Sequence, residues 1–202
     1  MPEHGPIAPR HLYLIKHAVG GTDLAEDWDP DRGPQIQALE TLVGRALDAL
    51  EAQGLRPTVR AVFWQQGETD SIVEAKANSY EERLVAFIAH LRRRLAFFSP
   101  DQSPANIRFV LGQVIPDWTV GSKAHSSYPY RDTIRAAQLA ASLRVPNAVA
   151  VPTDPSFETH ASTQDGYRDE DNIHFNEAGL TKLGEHMAAA YLAGQLAEPP
   201  RR

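Results

Sequence analysis

Short apolar runs alternate along this chain with helix-length stretches of 3.6-residue periodicity, and that alternation restricts the fold more than any other feature. Strands separated by helices pair in parallel through crossovers, and such a sheet is covered on both faces. Leu12-Tyr13-Leu14-Ile15 reads as a first buried strand running to a Gly20-Gly21 turn. Pro34 to Gln53 then carries Ile36, Leu39, Leu42, Val43, Ala46, Leu47 and Leu50 at helical spacing, with Gly54 as its stop. Val59 to Trp64 is the next strand. Ser79-Tyr80-Glu81-Glu82 has the form of a capping box, opening a helix through Leu84, Phe87, Ile88, Leu91 and Leu95. Ile107 to Ile115 and Ala148 to Val151 are two more strands, with a helix from Tyr130 to Arg144 between them. Asn176 stands where it can cap a last helix through Leu180, Leu183, Met187 and Tyr191.

Bulk properties narrow the functional classes. A chain of 202 residues is long enough for one domain with a substantial core, its ends fraying up to about Pro9 and from about Glu198. No apolar run approaches the roughly 18 residues of a spanning helix, so no membrane is expected. Met1-Pro2-Glu3-His4-Gly5-Pro6 lacks the basic and apolar regions of a leader, which makes the cytoplasm the default location. There is no Cys, which removes disulfides and thiolate metal sites. The formal net charge is -6, and the one internal basic run, Arg92-Arg93-Arg94, reads as a solvated helix stripe. A nucleic-acid partner is therefore not expected.

In a parallel sheet, reactive groups gather beyond the C-terminal ends of the strands. Three loops fall there. Gly20 and Gly21 can offer backbone N–H groups to an oxyanion, or form a plain strand-to-loop turn. Gln65-Gln66-Gly67-Glu68-Thr69-Asp70 follows an apolar strand with amides and carboxylates, whose burial is costly without partners. There Gln66 can donate to an oxyanion, and Glu68 or Asp70 can brace the loop. Asp171 stands three residues before His174, a spacing that lets a carboxylate orient an imidazole as general base. The plainer alternative for that pair is a surface loop with a helix cap. His160, Asp165, Asp169, Asp171 and His174 are chemically able to bind a metal but lack a ligand spacing, so no metal and no cofactor is expected. Among the other histidines, His17 lies beside the glycine pair and is the one expected near the site. Thr22, Trp118, His125, Tyr128 and Tyr130 are candidates for a substrate pocket.

Taken together these loops resemble one family. Lys16-His17-Ala18-Val19-Gly20-Gly21-Thr22 with Trp28, then Phe63-Trp64-Gln65-Gln66-Gly67-Glu68-Thr69-Asp70, then Asp171-Asn172-Ile173-His174-Phe175-Asn176 with Gly179, are similar in order to blocks of the SGNH hydrolases. The likeness is to the sialate O-acetylesterase branch, akin to carbohydrate esterase family six. It runs from about residue 12 to 192, and Ala136-Ala137-Gln138 matches a pattern on the preceding helix. The resemblance implies a three-layer α/β/α sandwich with a mostly parallel, flavodoxin-like sheet. It also implies metal-independent hydrolysis of O-acetyl esters on a small acetylated substrate, a glycan, by a Ser-His-Asp mechanism. Carried over by motif, Asp171 orients and His174 is the base. Gly20 or Gly21 supplies an oxyanion N–H, Gln66 takes the place of an oxyanion Asn, and Glu68 braces the site.

The sequence departs from that pattern in one respect. The family's nucleophile sits in a G-Q-S-N or G-D-S turn after the first strand, and neither string occurs here. Ser71, Ser122, Ser126 and Ser127 stand in other contexts. The chain is therefore expected to lack that first strand, to expose a sheet edge that a second copy can fill, and to cleave p-nitrophenyl acetate at or near background. A carbohydrate-binding protein without turnover, or an N-terminally truncated fragment, are the competing expectations.

Overall fold

The computed structural model describes residues 11–98, 103–116, 127–153 and 174–196. Strands β1 (Ala61–Gln65), β2 (Arg108–Gly112) and β3 (Ala148–Val151) form a parallel sheet in the order β1-β2-β3. Helix α1 (Pro34–Glu51) precedes β1, α2 (Glu74–Phe97) joins β1 to β2, α3 (Arg131–Arg144) joins β2 to β3, and α4 (Glu177–Leu196) follows. This is an α/β fold, as the alternation requires. No helix of the described residues is long and apolar enough to cross a membrane.

The side-chain period of two along β2 separates the core into two parts. Phe109 and Leu111 join Ile36, Val43 and Leu47 of α1, Leu84, Phe87 and Leu91 of α2, and Ile134 and Ala141 of α3. Val110 faces the opposite way, into Val151, Phe175, Leu183 and Met187, with α4 as cover. Helices thus cover both faces. Aromatic edges weld the larger core: Trp28 meets Trp64 at 4.9 Å and 88°, and Phe87 meets Phe109 at 6.1 Å and 86°. Pairs of this geometry add about 0.5–1.5 kcal/mol beyond their buried area.

Three expectations are corrected. Leu12–Ile15 is not a buried strand; Leu12 and Leu14 are 84% and 81% exposed. A strand exists only through its ladder, and none of the three described strands pairs with Leu12–Ile15. Second, α2 starts at Glu74, after the extended Val73, and Ser79 lies inside the helix with its hydroxyl donating back to the Ala75 carbonyl at 2.9 Å. A serine three residues before a glutamate also occurs within helices, where it bonds the preceding turn. Third, Arg92 is not part of a solvated stripe. It is buried, and its guanidinium donates to the carbonyls of Ile107, Pro146 and Asn147. Those carbonyls close the loops entering β2 and β3, which gives the buried charge its partners. Asn176 caps α4 as expected, accepting from the Gly179 N–H at 2.9 Å.

Candidate active site

The C-terminal end of β1 carries the polar loop on which everything else leans. Gln66 is buried there, and its amide is fully used. Its two N–H groups go to the Thr22 carbonyl at 3.1 Å and to Asp70 Oδ2 at 2.6 Å. The Tyr80 hydroxyl lies 3.0 Å from both the Gln66 side-chain oxygen and its backbone carbonyl. Gln138 of α3 donates to that carbonyl at 2.9 Å and accepts from the Val114 N–H at 3.1 Å. Gln66 is therefore a strut between the first two loops. With both N–H groups taken, it has none left for an oxyanion, which corrects the expectation from motif.

Asp70 completes the strut. It is 0% exposed and accepts from the Leu24 N–H at 3.0 Å as well as from Gln66. Burial raises its carboxyl to about 6, against the pull of the Gln66 and Leu24 donors. The segment it holds is pinned a second time. Lys76 donates to Asp23 at 2.7 Å and meets Glu26 at 3.0 Å, and Asp23 Oδ1 accepts from the Glu26 N–H.

The first loop stands open. Thr22 closes it by donating to the Val19 carbonyl, and Trp28 Nε1 donates to the Thr22 hydroxyl at 3.0 Å. Thr22 thus shapes the loop, and its hydroxyl is already engaged. A side chain at Gly20 or Gly21 would meet nothing within 4 Å, and neither N–H has an acceptor among the described residues. His17 packs edge-on against Trp28 at 5.6 Å, and its Nε2 pairs with Gln35 Oε1 at 3.0 Å.

Glu68 stands in the second loop, one residue beyond Gly67. The residue is half-buried, and the Gln65 Nε2 approaches its carboxyl at 3.4 Å. Burial raises its pKa; its own N–H, the Gln65 amide and the charge of His174 act in the opposite sense. His174 is exposed, just before Phe175, which sits in the α4 core, and Asn176, which caps the helix. The first two loops are thus joined by the hydrogen bond from Gln66 to Thr22. Asp171, Trp118 and His125 lie outside the described residues, as do Ser122, Ser126 and the metal-competent His160, Asp165 and Asp169. Ser71 is buried and donates its hydroxyl proton to the Glu68 carbonyl at 2.6 Å, so it is not poised as a nucleophile.

Sequence reasoning missed Tyr80 and Gln65. The signal for Tyr80 was a phenol at a core position of the α2 period, where the hydroxyl must find a partner. Gln65 carried no signal of its own, because its role depends on a glycine in the neighbouring strand.

A family model described as carbohydrate esterase, sialic acid-specific acetylesterase, matches residues 8–193. Among solved structures, a protein from Arabidopsis thaliana is similar at 22% identity with a TM-score of 0.60. The match covers 86% of this chain and 57% of the plant protein. A search of curated proteins finds no match.

Proposed function

The chain belongs to the carbohydrate esterase family of sialic acid-specific acetylesterases, and from that premise we propose that its three-loop edge binds and cleaves O-acetyl esters of a sugar. One observation carries this reading: Gly20 and Gly21 hold N–H groups without an acceptor among the described residues, on a loop bonded through Thr22 to Gln66 at the end of β1. In the reaction, His174 takes the proton of a serine hydroxyl while the serine oxygen bonds to the acetyl carbon. The carbonyl oxygen, now negative, lies against Gly20 and Gly21 N–H groups. His174 returns the proton to the departing sugar oxygen, and water repeats the cycle to free acetate. Asp171 orients the ring, while Gln66, Asp70 and Tyr80 hold the loops apart at fixed distance.

Among the described residues, the serine of the second loop, Ser71, is committed to the Glu68 carbonyl. That observation also favours a second reading, in which the edge binds acetylated sugar without turning it over. Both readings predict selective binding. Titration of the chain with an O-acetylated monosaccharide should give an affinity about tenfold tighter than for the deacetylated sugar, the worth of one or two hydrogen bonds. Equal affinity for the two sugars contradicts both. In the same preparation, the first reading predicts hydrolysis of p-nitrophenyl acetate above the buffer rate and the second predicts the buffer rate. Rapid turnover abolished by His174→Ala would show that a serine within these residues acts, and would remove the second reading.

A further inference from the structure

Among the described strands, β1 stands at the edge of the sheet and pairs with β2 alone. The Arg108 N–H donates to the Arg60 carbonyl at 3.1 Å, which fixes the parity of the strand. In a parallel ladder the N–H and C=O of one residue turn the same way, and those of the next residue turn the other way. The backbone groups of Arg60, Val62 and Trp64 therefore face β2. Those of Ala61, Phe63 and Gln65 face outward, and no described strand receives them. Sheet edges that stay bare carry charge, proline or a bulge that turns other strands away. Ala61-Val62-Phe63-Trp64-Gln65 has neither charge nor proline, and it pairs with β2 residue for residue, without a bulge.

One face of this edge is open as well. Among the described residues, the core beneath α4 draws on β2 and β3 and takes nothing from β1. Phe63 lies on that face, 47% exposed, with the Tyr191 ring 6.0 Å away. The chain has no ready strand of its own for the position. Leu12–Ile15, the other extended apolar run among the described residues, pairs with none of the three strands. Within Met1–Arg10, Pro2, Pro6 and Pro9 lack the N–H that a ladder requires.

We infer that the free edge of β1 docks a second copy of this chain, the two β1 strands running antiparallel about a two-fold axis at Phe63. The three outward-facing residues are symmetric about that position. The axis sets Phe63 opposite Phe63 of the partner subunit, and Ala61 opposite Gln65 of the partner subunit. Each facing pair exchanges two hydrogen bonds, so one register uses every outward N–H and C=O of the strand. The same patch serves both copies, and the contact closes on itself. The two half-exposed aromatic rings meet across the strands, and no charged side chain of β1 opposes its like. The antiparallel arrangement sends the loops beyond the two Gln65 ends in opposite directions. The pairing holds whatever those loops bind.

The full chain contains no cysteine, so Phe63→Cys reports the register without background. Facing residues of a hydrogen-bonded antiparallel pair have Cα atoms about 5.5 Å apart, within disulfide reach. Mild oxidation should convert Phe63→Cys to a covalent dimer, while Leu143→Cys, on the exposed side of α3, stays a single chain. By light scattering at about 100 μM, the parent should have twice the mass of one chain. Phe63→Lys and Phe63→Glu each set like charges opposite one another and should weaken association at least about tenfold. Mixed in equal amounts, those two variants should recover the dimer. A monomeric parent overturns the proposal, whether its Phe63 amide exchanges freely or another segment of the chain protects it. So does a dimer that persists in both charge variants, which would use a different surface. Equal crosslinking at positions 63 and 143, or none at 63, also overturns it. The same holds for charge variants that keep the parent's far-ultraviolet spectrum and fail to associate when mixed.

Discussion

Asp70→Ala is expected to cost the fold about 3 kcal/mol at pH 5, with a loss that narrows as the pH rises to 7. Two buried donors, the Leu24 N–H and the Gln66 amide, lose their acceptor, and each orphan costs about 1–3 kcal/mol. The pH dependence follows from the carboxyl itself. It titrates near 6 in the fold and near the usual aspartate value, about 3.9, in the unfolded chain. Between those values the native state holds more protons, so stability falls as the pH rises from about 4 to 6. A displacement of this size corresponds to about 3 kcal/mol across that window. The alanine variant lacks the carboxyl and is free of that decline. Urea unfolding of both proteins at pH 5 and pH 7 measures the effect. A gap that is constant with pH would mean that Asp70 keeps an ordinary carboxylate pKa in the fold.

Gly67→Ala should be about as damaging, for a steric reason. A Cβ there would lie 2.7 Å from Ile134 Cγ2 and 3.0 Å from Val114 Cγ1, at a backbone φ of 138°. Both neighbours belong to the packed core and have little room to yield. Backbone strain of about 1–3 kcal/mol adds to overpacking of similar size. The sum, about 3 kcal/mol, lowers the melting midpoint of a chain this long by about 10 °C. Gly21→Ala provides the contrast. Its φ is also positive, at 71°, but a side chain there meets nothing within 4 Å, so only about 1 kcal/mol of conformational strain is at stake. Melting curves that rank the two variants in the opposite order would show that the Gly67 contacts are not rigid.

The contrast between those glycines also shows what could be read from the chain beforehand. The helix around Val43 and Leu47, the strand through Trp64 and the Asn176 cap were legible, because each depends on residues close in sequence. Leu12–Ile15 was not, since an apolar run becomes a strand only when a neighbour takes its backbone groups. Arg92 misled for a similar reason. Its partners are carbonyls of Ile107, Pro146 and Asn147, and no pattern within α2 reveals them. At the site, the order of the three loops pointed to one edge, and the Thr22–Gln66 bond brings the first two together. The division of labour between them was hidden. Gln66 looked like a donor to substrate and is a strut, because Asp70 and Thr22 reach its amide first. Glu68 looked like a general brace, and the approach of the Gln65 amide to it depends on a missing side chain in another strand, at Gly112.

The claim that the three loops make one acetyl-ester site is tested most directly by amide chemical shifts during titration with an O-acetylated monosaccharide. The account predicts that Gly20, Gly21, Gly67, Glu68 and His174 move together along a single binding curve. Shifts at His174 with Gly20 and Gly21 unmoved, or a response confined to the exposed face of α1, would contradict it.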